Sequence, residues 1–180
     1  MKKKNYNVWL REQLKLTKTR VRKWEDWDPQ KTYQAFYDSR QVTIPTPVCD
    51  WSFLVALHEI GHISTGPRLF SHLSEYNAEQ WAINRASKSY NVVSEDYNND
   101  AKNYVQNHLL TDLIYYGYDI NKIKPYVLEW LGLSQDQLIR TITQMLKESK
   151  DSTNLNKETN KVLQCHKKNL QSKYSSNLTV

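Results

Sequence analysis

The stretch Asp50-Trp51-Ser52-Phe53-Leu54-Val55-Ala56-Leu57-His58-Glu59-Ile60-Gly61-His62-Ile63-Ser64 decides how this chain is read. It is apolar except at its start and at the cluster His58-Glu59 with His62, and Gly66-Pro67 follows it as a stop signal. The pattern predicts a buried helix from about Trp51 to Ser64, capped by Asp50. Histidines four residues apart stand one turn above each other, so both imidazoles leave the same face and can share one metal ion. Glu59 lies beside that face, where its carboxylate can take a proton from a water on the metal. Two neutral nitrogens and a carboxylate leave a fourth position of Zn²⁺ open, which is the arrangement a hydrolytic site needs. Gly61 inside such a helix costs about 1 kcal/mol relative to alanine, so a neighbour that comes very close is expected there.

Two histidines alone hold a metal weakly, and a carboxylate on the next helix is required. The segment Ser74-Glu75-Tyr76-Asn77-Ala78-Glu79-Gln80-Trp81-Ala82 offers two acids one turn apart, with Ser74 as the expected cap and Ala78, Trp81, Ala82 and Ala86 as one packing face. One acid can ligate while the other hydrogen-bonds a ligand histidine from behind and fixes its tautomer. Glu75 is taken as the third ligand and Glu79 as the acid behind. A hydroxyl or imidazole that stabilises the oxyanion is also needed, and His72, His108, Tyr76 and Tyr104 are all candidates. His72 is in addition an alternative ligand. Cys49 is expected to be a bystander, and the pair Cys165-His166 has no partner in the sequence.

Around this centre the chain reads mostly as helices. Residues 5–16 form a weakly amphipathic helix, and Asp28-Pro29 followed by Tyr33, Phe36 and Tyr37 at helical spacing predicts another. Val42 and Ile44 alternate with polar neighbours before Pro45 and Pro47, which predicts a short edge strand. Ser94-Glu95-Asp96 opens a long helix with Tyr97, Ala101, Tyr104, Val105, Leu109 and Leu113 as its apolar stripe. Two shorter helices follow, near Pro125–Leu131 and Gln135–Lys147, the first stopped by Gly132 and the second opened by Ser134 and Gln137 as a capping box. The fold class expected is α+β and mostly helical. A basic arm or helix over 1–24 precedes a main domain over 25–147, and a basic, loosely structured tail covers 148–180.

The two motifs together resemble the gluzincin-type metallopeptidases, and most of all the ImmA/IrrE family. That family's second motif reads Glu-x-x-Ala-(Asn/Asp)-x-Phe-Ala, against Glu75-Tyr76-Asn77-Ala78-Glu79-Gln80-Trp81-Ala82 here. Glu79 replaces the Asn or Asp, and Trp81 replaces the Phe. The similarity covers about 45 residues, from Val42 to Ala86. It implies zinc on His58, His62 and Glu75, with Glu59 as general base. It also implies a zincin-like minidomain whose strand before the metal helix, here Val42–Pro45, takes an extended peptide by strand addition. A regulatory protein such as a repressor is the substrate it implies, and the compact layout points to phage or mobile-element origin.

Composition narrows the class. In 180 residues there are six Trp, twelve Tyr and three Phe, enough bulk for a core. No run approaches the roughly 20 apolar residues of a membrane span. Met1-Lys2-Lys3-Lys4-Asn5 leads into no apolar run, so no secretory signal is read, and two cysteines make a cytoplasmic protein the expectation. The net charge of +6 is uneven: residues 1–24 carry +8, 25–146 carry −6 and 147–180 carry +4. Nucleic-acid contact through the basic ends is therefore a rival reading. A non-catalytic regulator or inhibitor that keeps a metal for structure is the other.

Overall fold

The computed structural model describes residues 5–89 and 92–148. In chain order the elements are α1 (Tyr6–Leu16), β1 (Arg20–Glu25), β2 (Gln34–Phe36), β3 (Gln41–Pro45), α2 (Asp50–Thr65), α3 (Ser71–Ser89), α4 (Glu95–Ile114), a 3-10 turn (Ile120–Lys122), α5 (Pro125–Leu131) and α6 (Gln135–Glu148). The fold is α+β and mostly helical, with one small mixed sheet. Among the described residues no helix is long and apolar enough to cross a membrane. The chain divides into two compact units, and the boundary falls within α4, between Val105 and Gln106.

In the first unit the sheet order is β1-β3-β2, with β1 parallel and β2 antiparallel to β3. Val42 and Ile44 of β3 are fully buried, and β3 packs on α2. The alternation and the two prolines predict an edge strand here. It is central instead, because β1 and β2 hydrogen-bond to its two sides. β1 itself comes from the segment expected to be a basic arm or helix. The register slips between Val21 and Lys23, so Val21 and Trp24, three apart, pair with Val42 and Ile44, two apart. Arg22 is the extra residue of this bulge.

The helix expected after Asp28-Pro29 does not form. The Asp28 carboxylate accepts a hydrogen bond from the Gln30 amide (2.9 Å), and the Asp28 carbonyl accepts from the Lys31 amide (3.1 Å), which closes a single turn. Tyr33 is buried there as an anchor, stacked on Trp27, with its hydroxyl accepting from the Asp28 amide. The chain then extends into β2. Phe36 of β2 lies under the Arg22 guanidinium, 4.7 Å from its ring centre.

α2 forms as expected, but its cap is Cys49 rather than Asp50. The Cys49 sulfur accepts from the Ser52 amide, and the Ser52 hydroxyl accepts from the Cys49 amide (3.0 Å), a capping box closed by a thiol. Asp50 instead takes the hydroxyl of Tyr6 on α1, whose ring stacks on Phe53 at 4.9 Å. α3 starts at Ser71, so Ser74 lies inside the helix and does not cap it. α2 and α3 meet at Gly61. A Cβ placed there would stand 2.7 Å from the carbonyl oxygen of Ala78, so the glycine is what lets the two helices touch.

Among its described residues the second unit holds helices and no strand. Pro125 opens α5, Gly132 stops it in the left-handed region (φ 70°), and Ser134 and Gln137 exchange hydrogen bonds at the start of α6. Leu109, Leu113, Ile120, Val127, Leu138 and Ile142 are buried.

Candidate metal centre

α2 is buried over most of its length, and that burial includes His58, Glu59 and His62. Burying three titratable groups in one helix is costly unless each is satisfied by hydrogen bonds, charge partners or an ion. α3, held close by Gly61, faces them with Glu75 and Glu79. The Nε2 atoms of His58 and His62 lie 3.0 Å apart, and one oxygen of Glu75 lies 3.1 Å from the first and 3.2 Å from the second. Glu79 approaches His58 from the opposite side, with its carboxylate 3.0 Å from Nδ1. Glu75 and Glu79 thus take different sides of the same imidazole.

Among the described residues, His58, His62 and Glu75 form the group that could hold a metal ion. In the tautomers with Nδ1–H on both rings, three lone-pair atoms would converge on one point, an arrangement that a cation satisfies. A triangle with these sides leaves a point about 2.0 Å from every corner, the bond length from a first-row divalent ion to nitrogen. The donor set therefore fits such an ion.

Three shifted groups mark the cluster. Burial disfavours charge on His58, but the Glu79 carboxylate and the hydrogen bonds His58 donates to Glu75 and Glu79 outweigh it, and its pKa lies well above the ordinary imidazole value. Burial alone would raise Glu75; hydrogen bonds from His58 and His62 prevail and hold it far below the usual carboxylate range. Glu59 goes the other way. Burial raises its pKa, and the nearby imidazoles only partly offset this.

The centre opens into a cavity of about 390 Å³. Tyr33, Gln34, Ala35, Phe36 and Tyr37 line one side, and His58, Glu59, His62, Glu75 and Tyr104 line the rest. Of the four oxyanion candidates, Tyr104 is the one in this lining, with its ring edge-on to His58 at 6.1 Å. Burial, then the charges of Glu75 and Glu59, raises its pKa, so the hydroxyl keeps its proton. His72 is fully buried in the first turn of α3 and is not in the metal-holding group. Tyr76 is half-buried and outside the lining, and His108 belongs to the second unit. Cys165 and His166 lie outside the described residues.

Three participants carry no signal in the local sequence pattern. Tyr37 and Ser74 place their hydroxyls 3.1 and 3.3 Å from Nδ1 of His62. Tyr97 donates to the second oxygen of Glu79 at 3.0 Å. The apolar stripe of α4 predicts Tyr97 as core, and it is buried; only its hydroxyl, the polar tip of an apolar ring, carries the extra role. In comparison with known proteins, the chain matches no family model, no curated protein and no solved structure.

Proposed function

We propose that the protein is a cytoplasmic zinc-dependent peptidase built on a zincin-like minidomain, akin to the ImmA/IrrE family, that cleaves a protein substrate. The observation that carries this reading is the convergence of His58, His62 and Glu75 on one point at the floor of a cavity that Glu59 also lines. Two nitrogens and one carboxylate favour zinc among the available divalent ions. Zinc, when bound, would supply a Lewis acid that polarises the scissile carbonyl and lowers the pKa of water. Glu59 accepts the proton of the attacking water and delivers it to the leaving amine, a role its raised proton affinity suits. Tyr104, protonated and on the cavity wall, donates to the oxyanion of the tetrahedral intermediate. Glu79 holds His58 in the tautomer that leaves Nε2 for the metal.

The peptide lies along β2 rather than β3. Both sides of β3 are already paired, whereas among the described residues β2 has one strand neighbour, and it borders the cavity. Elemental analysis of protein purified without chelator tests the metal. We expect about one zinc per chain, lost in His58→Ala and in Glu75→Ala. Glu59→Gln should keep the zinc and lower peptide hydrolysis on the order of 10³-fold. Stoichiometric zinc with unchanged hydrolysis in Glu59→Gln would remove the general-base assignment, and absence of metal would remove the peptidase reading.

A second reading, contact with nucleic acid, draws on β1, where Arg20, Arg22 and Lys23 are exposed together with Trp24. Binding to an oligonucleotide that falls steeply with salt and is lost in Arg20→Ala/Arg22→Ala would support it.

A further inference from the structure

The two candidate ligand histidines have different partners behind them. His58 has a carboxylate, Glu79. His62 has two hydroxyls: Tyr37 at 3.1 Å and Ser74 at 3.3 Å from Nδ1, themselves 3.0 Å apart. We propose that Tyr37 is a positioning residue for the metal centre, whose hydroxyl accepts the Nδ1 proton of His62 and donates its own to Ser74. The inference rests on the reading of His58, His62 and Glu75 as a metal set.

The arrangement assigns each proton once. A ligand imidazole that offers Nε2 to a metal carries its proton on Nδ1 and needs an acceptor there. A tyrosine oxygen can accept that proton and still donate one. The Ser74 oxygen is nearer to Tyr37 than to His62, and it takes the Tyr37 proton. Ser74 is buried, so it can also serve as a poorer direct acceptor for His62 when Tyr37 is removed. The ring of Tyr37 meets His62 edge-on at 6.2 Å and 82°, which limits rotation of the imidazole as well.

Position gives this hydroxyl its importance. Tyr37 follows β2 directly, His62 is on α2 and Ser74 is on α3, so one oxygen ties together the three elements that build the site. Tyr37 also lines the cavity beside β2. The strand proposed to hold a peptide is thus one residue away from the hydrogen bond that orients a metal ligand.

Zinc affinity measured against a chromophoric chelator, together with the visible spectrum of cobalt-substituted protein, tests this in wild type, Tyr37→Phe, Ser74→Ala and the double variant. Tyr37→Phe keeps the ring and removes only the hydroxyl. It should weaken zinc about ten- to a hundredfold and shift the cobalt d–d bands, which a packing role alone would not move. Ser74→Ala should do less, and the double variant more than Tyr37→Phe. Far-UV circular dichroism checks the fold; should Tyr37→Phe not fold, Ser74→Ala must weaken zinc and shift the bands for the proposal to stand. A folded Tyr37→Phe with wild-type affinity and spectrum overturns it. Wild type that takes up zinc on His58 and Glu75 yet ignores Tyr37 overturns this inference alone, whereas wild type that takes up no metal overturns the metal reading as well.

Discussion

The two units of the chain bury different kinds of side chain. Of the buried polar or charged residues among those described, Gln13, Thr19, Ser52, His58, Glu59, His62, His72, Ser74 and Glu79 lie in the first unit, and Asp112 alone lies in the second. The second unit is filled by Leu, Ile, Val and Tyr, with its helices started and stopped by caps. Burying polar groups gives up hydration that only good partners restore, so a region selected for stability avoids it. The first unit carries most of that cost around α2 and α3, which hold seven of these nine residues. On the proposed function, the first unit holds the chemistry and the second contributes stability.

The largest effect expected on the second unit comes from its core. Ile142 on α6 is fully buried, and Ile142→Ala should destabilise the protein by about 3 kcal/mol, seen in denaturant unfolding. Metal content of the folded variant should stay at the wild-type level, since no described residue after Val105 lines the cavity. Loss of metal from folded Ile142→Ala would break the separation of roles.

A smaller effect sharpens the comparison from the other side. In Gly61→Ala the new Cβ would stand 2.7 Å from the backbone oxygen of Ala78, and a backbone atom cannot swing away. Overpacking of this kind costs about 2 kcal/mol even after the gain in helix propensity. The helices carrying His58, His62 and Glu75 must part slightly, so zinc affinity should fall together with stability. Titration with a chelator alongside thermal melting checks both; a stabilised variant with intact affinity would show that the close approach is dispensable.

Much of this contrast is legible in the amino-acid sequence. The apolar run around His58 and His62 carries its own periodicity, and the caps at Gly132 and Ser134 are local chemistry that needs no tertiary context. The acids of α3 are legible for the same reason, through their one-turn spacing. β1 is not, because the bulge at Arg22 sets Val21 and Trp24 three apart, which imitates a helix and hides the alternation of a strand. Tyr33, Phe36 and Tyr37 mislead similarly: their spacing is helical, but the Asp28 carboxylate closes one turn and the chain extends. Asp50 and Ser74 are each one plausible cap among several polar neighbours, and tertiary partners (Tyr6 for one, Tyr37 and His62 for the other) decide their roles. Contacts between residues 25 or more apart, such as Tyr37 with His62, leave no trace in local pattern.

The finest expected effect lies in the outermost hydrogen bond of the site. Tyr97 is buried, and its hydroxyl donates to Glu79 at 3.0 Å, while the other Glu79 oxygen faces His58 at 3.0 Å. Tyr97→Phe fills the same space, so packing against Trp51, 5.2 Å away ring to ring, is retained. What changes is the carboxylate: without its donor, one oxygen of Glu79 loses its hydrogen bond in a buried setting. A Glu79 held by one contact fewer orients His58 less firmly. Zinc affinity should then fall about tenfold. The same chelator titration, with the cobalt spectrum alongside, reads this directly. A loss of affinity with an unshifted cobalt spectrum would mean that the hydroxyl matters through packing, and no loss of affinity would confine the polar requirements of the first unit to the residues that touch the imidazoles.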